Sequence, residues 1–284
     1  MTHYHSLIRN SVIIMIGLLG TGLLNAQVAS TLYTFERDRA AGDFQNNGWN
    51  VAPDIEEQIN SETDGNVLTL QQSILSYLGS DNKMERADLL MTSYQNAPSD
   101  KALWPYVLVH YGMSGDEASL RDMAEKMNGN GLIPEEQKSF HRLLLAEMDG
   151  KDVVISHGLW DTATLLMVNS ETGGNVSIIC LDWFRDPLYR SARMQSMGLV
   201  APDVKSSASE TLIEFQNRNP EFDIHLAPTL NKTLLGDLEG RLSLTGLSFS
   251  MSKNEDASAE MLSAWQSLKN EKETEEVFAS SYLP

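Results

Sequence analysis

Between Val67 and Gly150, apolar residues recur every three to four positions, and the spacing predicts five helices. The first carries Leu68, Ile74, Leu75 and Leu78 and stops at Gly79. Asp81 or Asn82 caps the second, which holds Met84, Ala87, Leu90, Met91 and Tyr94 and ends before Pro98. Ser99 or Asp100 opens the third, with Leu103, Val107, Leu108 and Tyr111, and Pro105 falls in its first turns, where proline is tolerated. Ser114 with Glu117 reads as a capping box for the fourth, which bears Leu120, Met123 and Met127. Pro134 starts the fifth, with Phe140, Leu144, Leu145 and Met148. Short connections imply antiparallel neighbours, as in a tetratricopeptide-like array, although neither its consensus nor a clean repeat period is present.

The pattern changes after Gly150. Asp152–Ser156, Val176–Leu181 and Phe222–Leu226 are short apolar runs that read as buried strands. Between them Trp160–Asn169, Pro187–Met197 and Ser206–Asn217 read as helices. Alternating strands and helices imply crossover connections and a parallel sheet. In the last strand Leu242 and Leu244 share one parity while Leu247, Phe249 and Met251 share the other. The phase slips at Thr245-Gly246, as at a β-bulge, and the alternation marks an antiparallel edge strand. Glu260–Leu268 reads as a closing helix. The expected class is therefore α/β (α+β overall): a helical array over 67–150, then a small three-layer α/β domain over 151–270. Its sheet is expected to be mostly parallel with one antiparallel edge strand.

Residues 27–66 lack periodicity and read as an extended, loose segment, with Tyr33, Phe35, Phe44 and Trp49 as anchors. Ahead of it, a weakly basic start (His3, His5, Arg9) precedes the apolar run Ser11–Leu24, too short for an ordinary span. Leu24-Asn25-Ala26 offers a cleavage site, with Ala29 as an alternative. A signal peptide over 1–26 implies a periplasmic or secreted protein. No later stretch is long and apolar enough to span, so no transmembrane segment is expected after cleavage. The tail, 271–284, is charged and reads as solvated.

Composition narrows the function classes. The net charge of −18 argues against a nucleic-acid surface, which wants a basic face. The single cysteine, Cys180, excludes a disulfide framework, and its place in an apolar strand suggests a buried thiol. His110, His141, His157 and His225 are dispersed, with no His-Glu-x-x-His helix, so no metal is expected, and the glycine spacings match no dinucleotide or phosphate loop, so no cofactor is expected. No Gly-x-Ser-x-Gly elbow is present. Asn175-Val-Ser177 and Asn231-Lys-Thr233 match a glycosylation sequon, a pattern too short to carry weight alone.

The strongest site candidate is the loop Ser156-His-Gly-Leu-Trp-Asp-Thr162, with Asp182 after the second strand. It follows a parallel strand and opens a helix, where open sheets hold their ligands and free N–H groups face an anion. Ser156, His157, Gly158, Asp161, Thr162 and Asp182 are the candidate ligand-binding residues. Asp161 has two readings, ligand contact or helix cap. No catalytic residue is assigned. The alternative is an acid/base pair of His157 and Asp182 in a small hydrolase or transferase. A third possibility is a structural component of an envelope complex, with the helical face as interface, which a large exposed apolar patch would favour.

Three segments together carry a resemblance. They are Lys151–Thr162, Asn175–Phe184 and Phe222–Ser250, the last including Leu234-Leu-Gly-Asp-Leu-Glu-Gly-Arg-Leu. In order and spacing they resemble the soluble carboxy-terminal region of bacterial multi-pass membrane proteins related to protein O-mannosyltransferases. The chain keeps Gly158 and the Asp161-Thr162 pair of that pattern but has Leu159-Trp160 between them, and Cys180-Leu181-Asp182 stands where the family carries an Asn-Leu-Ser-like end. The membrane-embedded half, where the family's glycosyl transfer is expected, has no counterpart in this sequence. The resemblance implies a diverged, freestanding accessory domain. The expected function is an exported, non-catalytic protein binding a partner protein or a glycan-related ligand in the envelope.

Overall fold

The computed structural model describes residues 76–78, 80–146, 148–230 and 232–251. The expected signal peptide, the 27–66 segment, most of the first helix, the closing helix 260–268 and the charged tail lie outside the described residues. Among the described residues, the first half includes α1 (Ala87–Asn96), α2 (Trp104–Ser114), α3 (Glu117–Gly129) and α4 (Glu135–Leu145). The second half follows as β1 (Asp152–Ser156), α5 (Leu159–Glu171), β2 (Ser177–Cys180), a 3₁₀ turn (Leu181–Arg185), a π turn (Tyr189–Arg193) running into α6 (Met194–Ser196), α7 (Ala208–Arg218), β3 (Asp223–Leu226), α8 (Lys232–Asp237), a 3₁₀ turn (Glu239–Arg241), β4 (Ser243–Thr245) and β5 (Ser248–Ser250).

The strands form one mixed sheet in the order β2-β1-β3-β5-β4, with β2, β1 and β3 mutually parallel. Every residue of β1 is buried, which is why its sequence is a continuous apolar run rather than an alternating one. The expected single bulged edge strand is instead a hairpin. Thr245 pairs with Ser248 across the two-residue turn Gly246-Leu247, so both β4 and β5 are antiparallel. Gly246 takes φ 55, the positive value that tight hairpin turns require. The parity slip at this point is the reversal of the chain, not an inserted residue.

One hydrophobic core joins both halves. α2 and α4 pack on α5, α3 also reaches it, and α1 packs on α2. The closest approach is at Gly112, where a Cβ would stand 2.7 Å from both δ-carbons of Leu166. Only a residue without a side chain lets α2 and α5 pack this tightly.

The helix borders follow local chemistry. Pro105 sits in the first turn of α2, where a missing N–H costs nothing. The expected Ser114–Glu117 capping box does not form. Ser114 ends α2 and donates to the Tyr111 carbonyl at 3.1 Å, Gly115 closes the helix at φ 80, and Asp116 caps α3 by accepting from the Ser119 N–H at 3.1 Å. The left-handed glycine ends α2 so abruptly that Asp116, with a carboxylate in place, takes the cap instead.

Candidate functional site

The sheet's parallel register brings the two predicted site segments together. Ser156 at the end of β1 stands opposite Cys180 at the end of β2. The chain continues from these neighbours into His157 and, two residues on, Asp182, both half-buried at the same edge. Gly158 makes the turn into α5 at φ 81 and occupies its N-cap position without a side chain. No side chain caps α5.

A cleft opens at this edge, enclosing about 430 Å³ including its mouth. Gly158, Leu159, Cys180 and Asp182 form its sheet side. Tyr77, Lys83, Tyr106 and Trp183 form the facing side. Lys83 is held by a 2.7 Å bond to the Ser80 carbonyl. The cleft thus sets three aromatic rings, one cation and one anion around the start of a helix. Cys180 is a buried thiol, as its apolar strand suggested.

Tyr77 and Trp183 belong to a buried aromatic group with His110 and Tyr189. Burial, reinforced by the charge of Asp186 and by Cys180, pushes the Tyr77 phenol well up. Burial pulls His110 down to about 4 against the opposing pull of Asp186. The protonated phenol and the neutral imidazole share a 3.0 Å hydrogen bond between Tyr77 Oη and His110 Nδ1, its direction set by the imidazole tautomer. The His110 ring also meets Trp183 at 5.8 Å, and Trp183 meets Tyr189 edge-to-face at 5.7 Å. Asp186, 1% exposed, is satisfied by the backbone N–H groups of Met84 at 2.7 Å and Tyr189 at 2.9 Å.

The remaining predicted residues turn inward. Ser156 Oγ and Thr162 Oγ1 bond each other at 2.8 Å, and Thr162 donates on to the Gly158 carbonyl at 2.7 Å. Both are fully buried and fasten α5 to β1. Asp161 caps nothing. Its Oδ1 lies 2.8 Å from Nε2 of His141, a residue with no exposed surface, and its Oδ2 is buried without a partner.

A second histidine network crosses the sheet. His225 Nδ1 lies 2.9 Å from Ser248 Oγ, and its Nε2 lies 3.3 Å from Asp152 Oδ1. Serine, histidine and aspartate follow one another, but with the ring nitrogens reversed from a catalytic relay, in which Nε2 meets the serine and Nδ1 the aspartate. The serine is 1% exposed, the histidine 7% and the aspartate 9%, so no substrate carbonyl reaches the hydroxyl. The network fastens β5 to β3 and β1.

Sequence reasoning passed over Tyr77, Lys83, Tyr106 and Trp183. Three of them are aromatic residues in apolar stretches, where a cleft wall and a core position look alike. Among the described residues, no three His, Cys, Asp or Glu side chains converge as a metal site would require. No helix among them is long and apolar enough to cross a membrane. No family model, curated protein or solved structure matches the chain.

Proposed function

We propose that the protein is an exported, non-catalytic binding protein whose cleft at the carboxyl ends of β1 and β2 takes a glycan-related ligand. One observation carries this reading: aromatic side chains (Tyr77, Tyr106, Trp183) share a small cleft with Lys83, Asp182 and the uncapped start of α5. These rings are 2%, 6% and 3% exposed, so they offer the carbon-rich side of a sugar their edges, not their faces. A carboxylate accepts from sugar hydroxyls, and a cation beside a helix start receives a phosphate. The position, outside the carboxyl ends of parallel strands, is the usual one for ligands of open sheets.

Export rests on the signal-like residues 1–26, and the accessory role on the resemblance to the soluble region of mannosyltransferase-related membrane proteins. A small ligand is favoured over a protein partner because the large apolar residues exposed among the described residues are only Trp160, Leu188, Val200 and Val204. None lies on α1–α4, where a helical docking face would need them.

The test is thermal melting of the purified protein against nucleotide sugars, polyprenyl phosphates, oligosaccharides and divalent metals. A saturable rise with one carbohydrate- or phosphate-bearing class, lost in Asp182→Ala and Lys83→Ala, is expected. No rise across the panel, or a rise unchanged in both variants, contradicts the proposal. Turnover of such a ligand that disappears in His157→Ala moves the protein to the enzyme class.

A further inference from the structure

A second cleft opens near the other end of β2, lined by Ser177 at that strand's start rather than by Cys180 at its end. It encloses about 550 Å³ including its mouth and lies between the α2–α3 turn, the end of α5 and the π turn. Arg193, the last residue of the π turn, lines it together with Glu117, Ser170, Asn175 and Ser177. The guanidinium lies over Gly115, where a Cβ would stand 2.8 Å from Nη1. Glycine at that position is what lets the arginine lie flat against the end of α2, where the helix dipole favours a cation.

Arg193 is poorly satisfied there. Its Nη2 is 3.5 Å from Glu117 Oε1, its Nη1 is 3.5 Å from Ser196 Oγ, and its buried Nε has no acceptor. Charge-assisted bonds normally close to about 2.7–2.9 Å. Two long contacts and one empty donor leave most of a five-donor fork unused. Glu117 is in the opposite condition, with a carboxylate 67% exposed at the mouth. Apolar carbon from Leu120, Leu166 and Met197 closes one wall.

We propose that this cleft binds a small α-amino acid as its zwitterion. The ligand carboxylate bonds the outer N–H groups of Arg193, its ammonium bonds Glu117, and a short aliphatic side chain meets the apolar wall. A guanidinium and a carboxylate side by side complement a ligand whose own opposite charges are one carbon apart. An anion alone leaves Glu117 facing it, and a strongly acidic protein repels it further. This site shares no lining residue with the first cleft, so the two proposals stand or fall separately.

The experiment is isothermal titration of the purified protein with glycine, L-alanine and L-serine, with acetate and ethylamine as single-charge controls. At least one amino acid is expected to bind saturably, at least tenfold tighter than either control. Arg193→Gln is expected to weaken it tenfold or more. Because that change also removes packing over Gly115, Glu117→Gln at an exposed position provides the independent arm: it lowers amino-acid affinity, whereas acetate, relieved of the facing carboxylate, binds no more weakly. Asp182→Ala leaves this binding intact. Absence of saturable binding by all three amino acids overturns the proposal, as does equal affinity for acetate or an affinity that survives both cleft variants.

Discussion

His141 and Asp161 meet across the α4–α5 interface at 2.8 Å, with the imidazole fully buried. The other ring nitrogen, Nδ1, lies 2.7 Å from the carbonyl of Gln137, which can only accept. The carboxylate is an acceptor as well, so a proton must sit between His141 Nε2 and Asp161 Oδ1 for the bond to exist. The pair is a clasp between the helical half and the sheet half. Removing one member of a buried pair leaves the other uncompensated, so Asp161→Ala should cost about 3 kcal/mol in urea unfolding. A loss under about 1 kcal/mol, the level of an exposed pair, contradicts this role.

The His225 network fastens the hairpin in a similar way. Ser248→Ala removes the partner of a buried imidazole and should cost about 1–2 kcal/mol. The loss should show first as faster amide exchange in β5. An exchange pattern unchanged at Ser248–Ser250 refutes the fastening role.

His110 predicts a pH dependence with a definite sign. Its folded value of about 4 lies below the ordinary 6.5. Between those values the unfolded chain holds more protons, so stability rises with pH across the window. The contribution is fully present above pH 6.5 and is lost on acidification towards pH 4, by roughly 3 kcal/mol. His110→Gln should flatten this slope in unfolding measured at several pH values, and an unchanged slope would falsify the assignment.

Gly112 predicts a steric effect. In Gly112→Ala the new methyl meets Leu166, and overpacking of this kind costs about 1–3 kcal/mol. Leu166→Ala in the same chain relieves the collision, so the two changes should be clearly non-additive in a double-mutant cycle.

These relationships show where the sequence was legible. β1 has the bounds its apolar run indicated, Asp152–Ser156, because burial on both faces demands an unbroken run. β2, β3, α5 and α7 were visible within one or two residues for the same reason, a clear period bounded by Gly or Pro. The helix expected over Pro187–Met197 is present as an unbroken helical run over 187–196, but its π pitch at Tyr189–Arg193 and the 3₁₀ turn after β2 were not visible, because a chain that changes helical pitch within a few residues has no single period. The hairpin hid inside one alternating run, since its two-residue turn reverses the chain in less space than a breaker cluster occupies. The meeting of Gly158 and Asp182 at one cleft was legible through topology alone. The cleft's facing wall, and the inward turn of Asp161 to a histidine 20 residues earlier, depend on long-range packing that no local spacing encodes.

The proposed ligand edge lies at the carboxyl ends of β1 and β2. Hydrogen exchange of the purified protein, with and without the nucleotide sugar, polyprenyl phosphate or oligosaccharide that raises its melting temperature, tests it most directly. Slowed exchange is predicted at residues 158–162 and 180–184, with 174–178 at the opposite end unchanged. Protection confined to 174–178, or to surfaces away from both strand ends, contradicts the account.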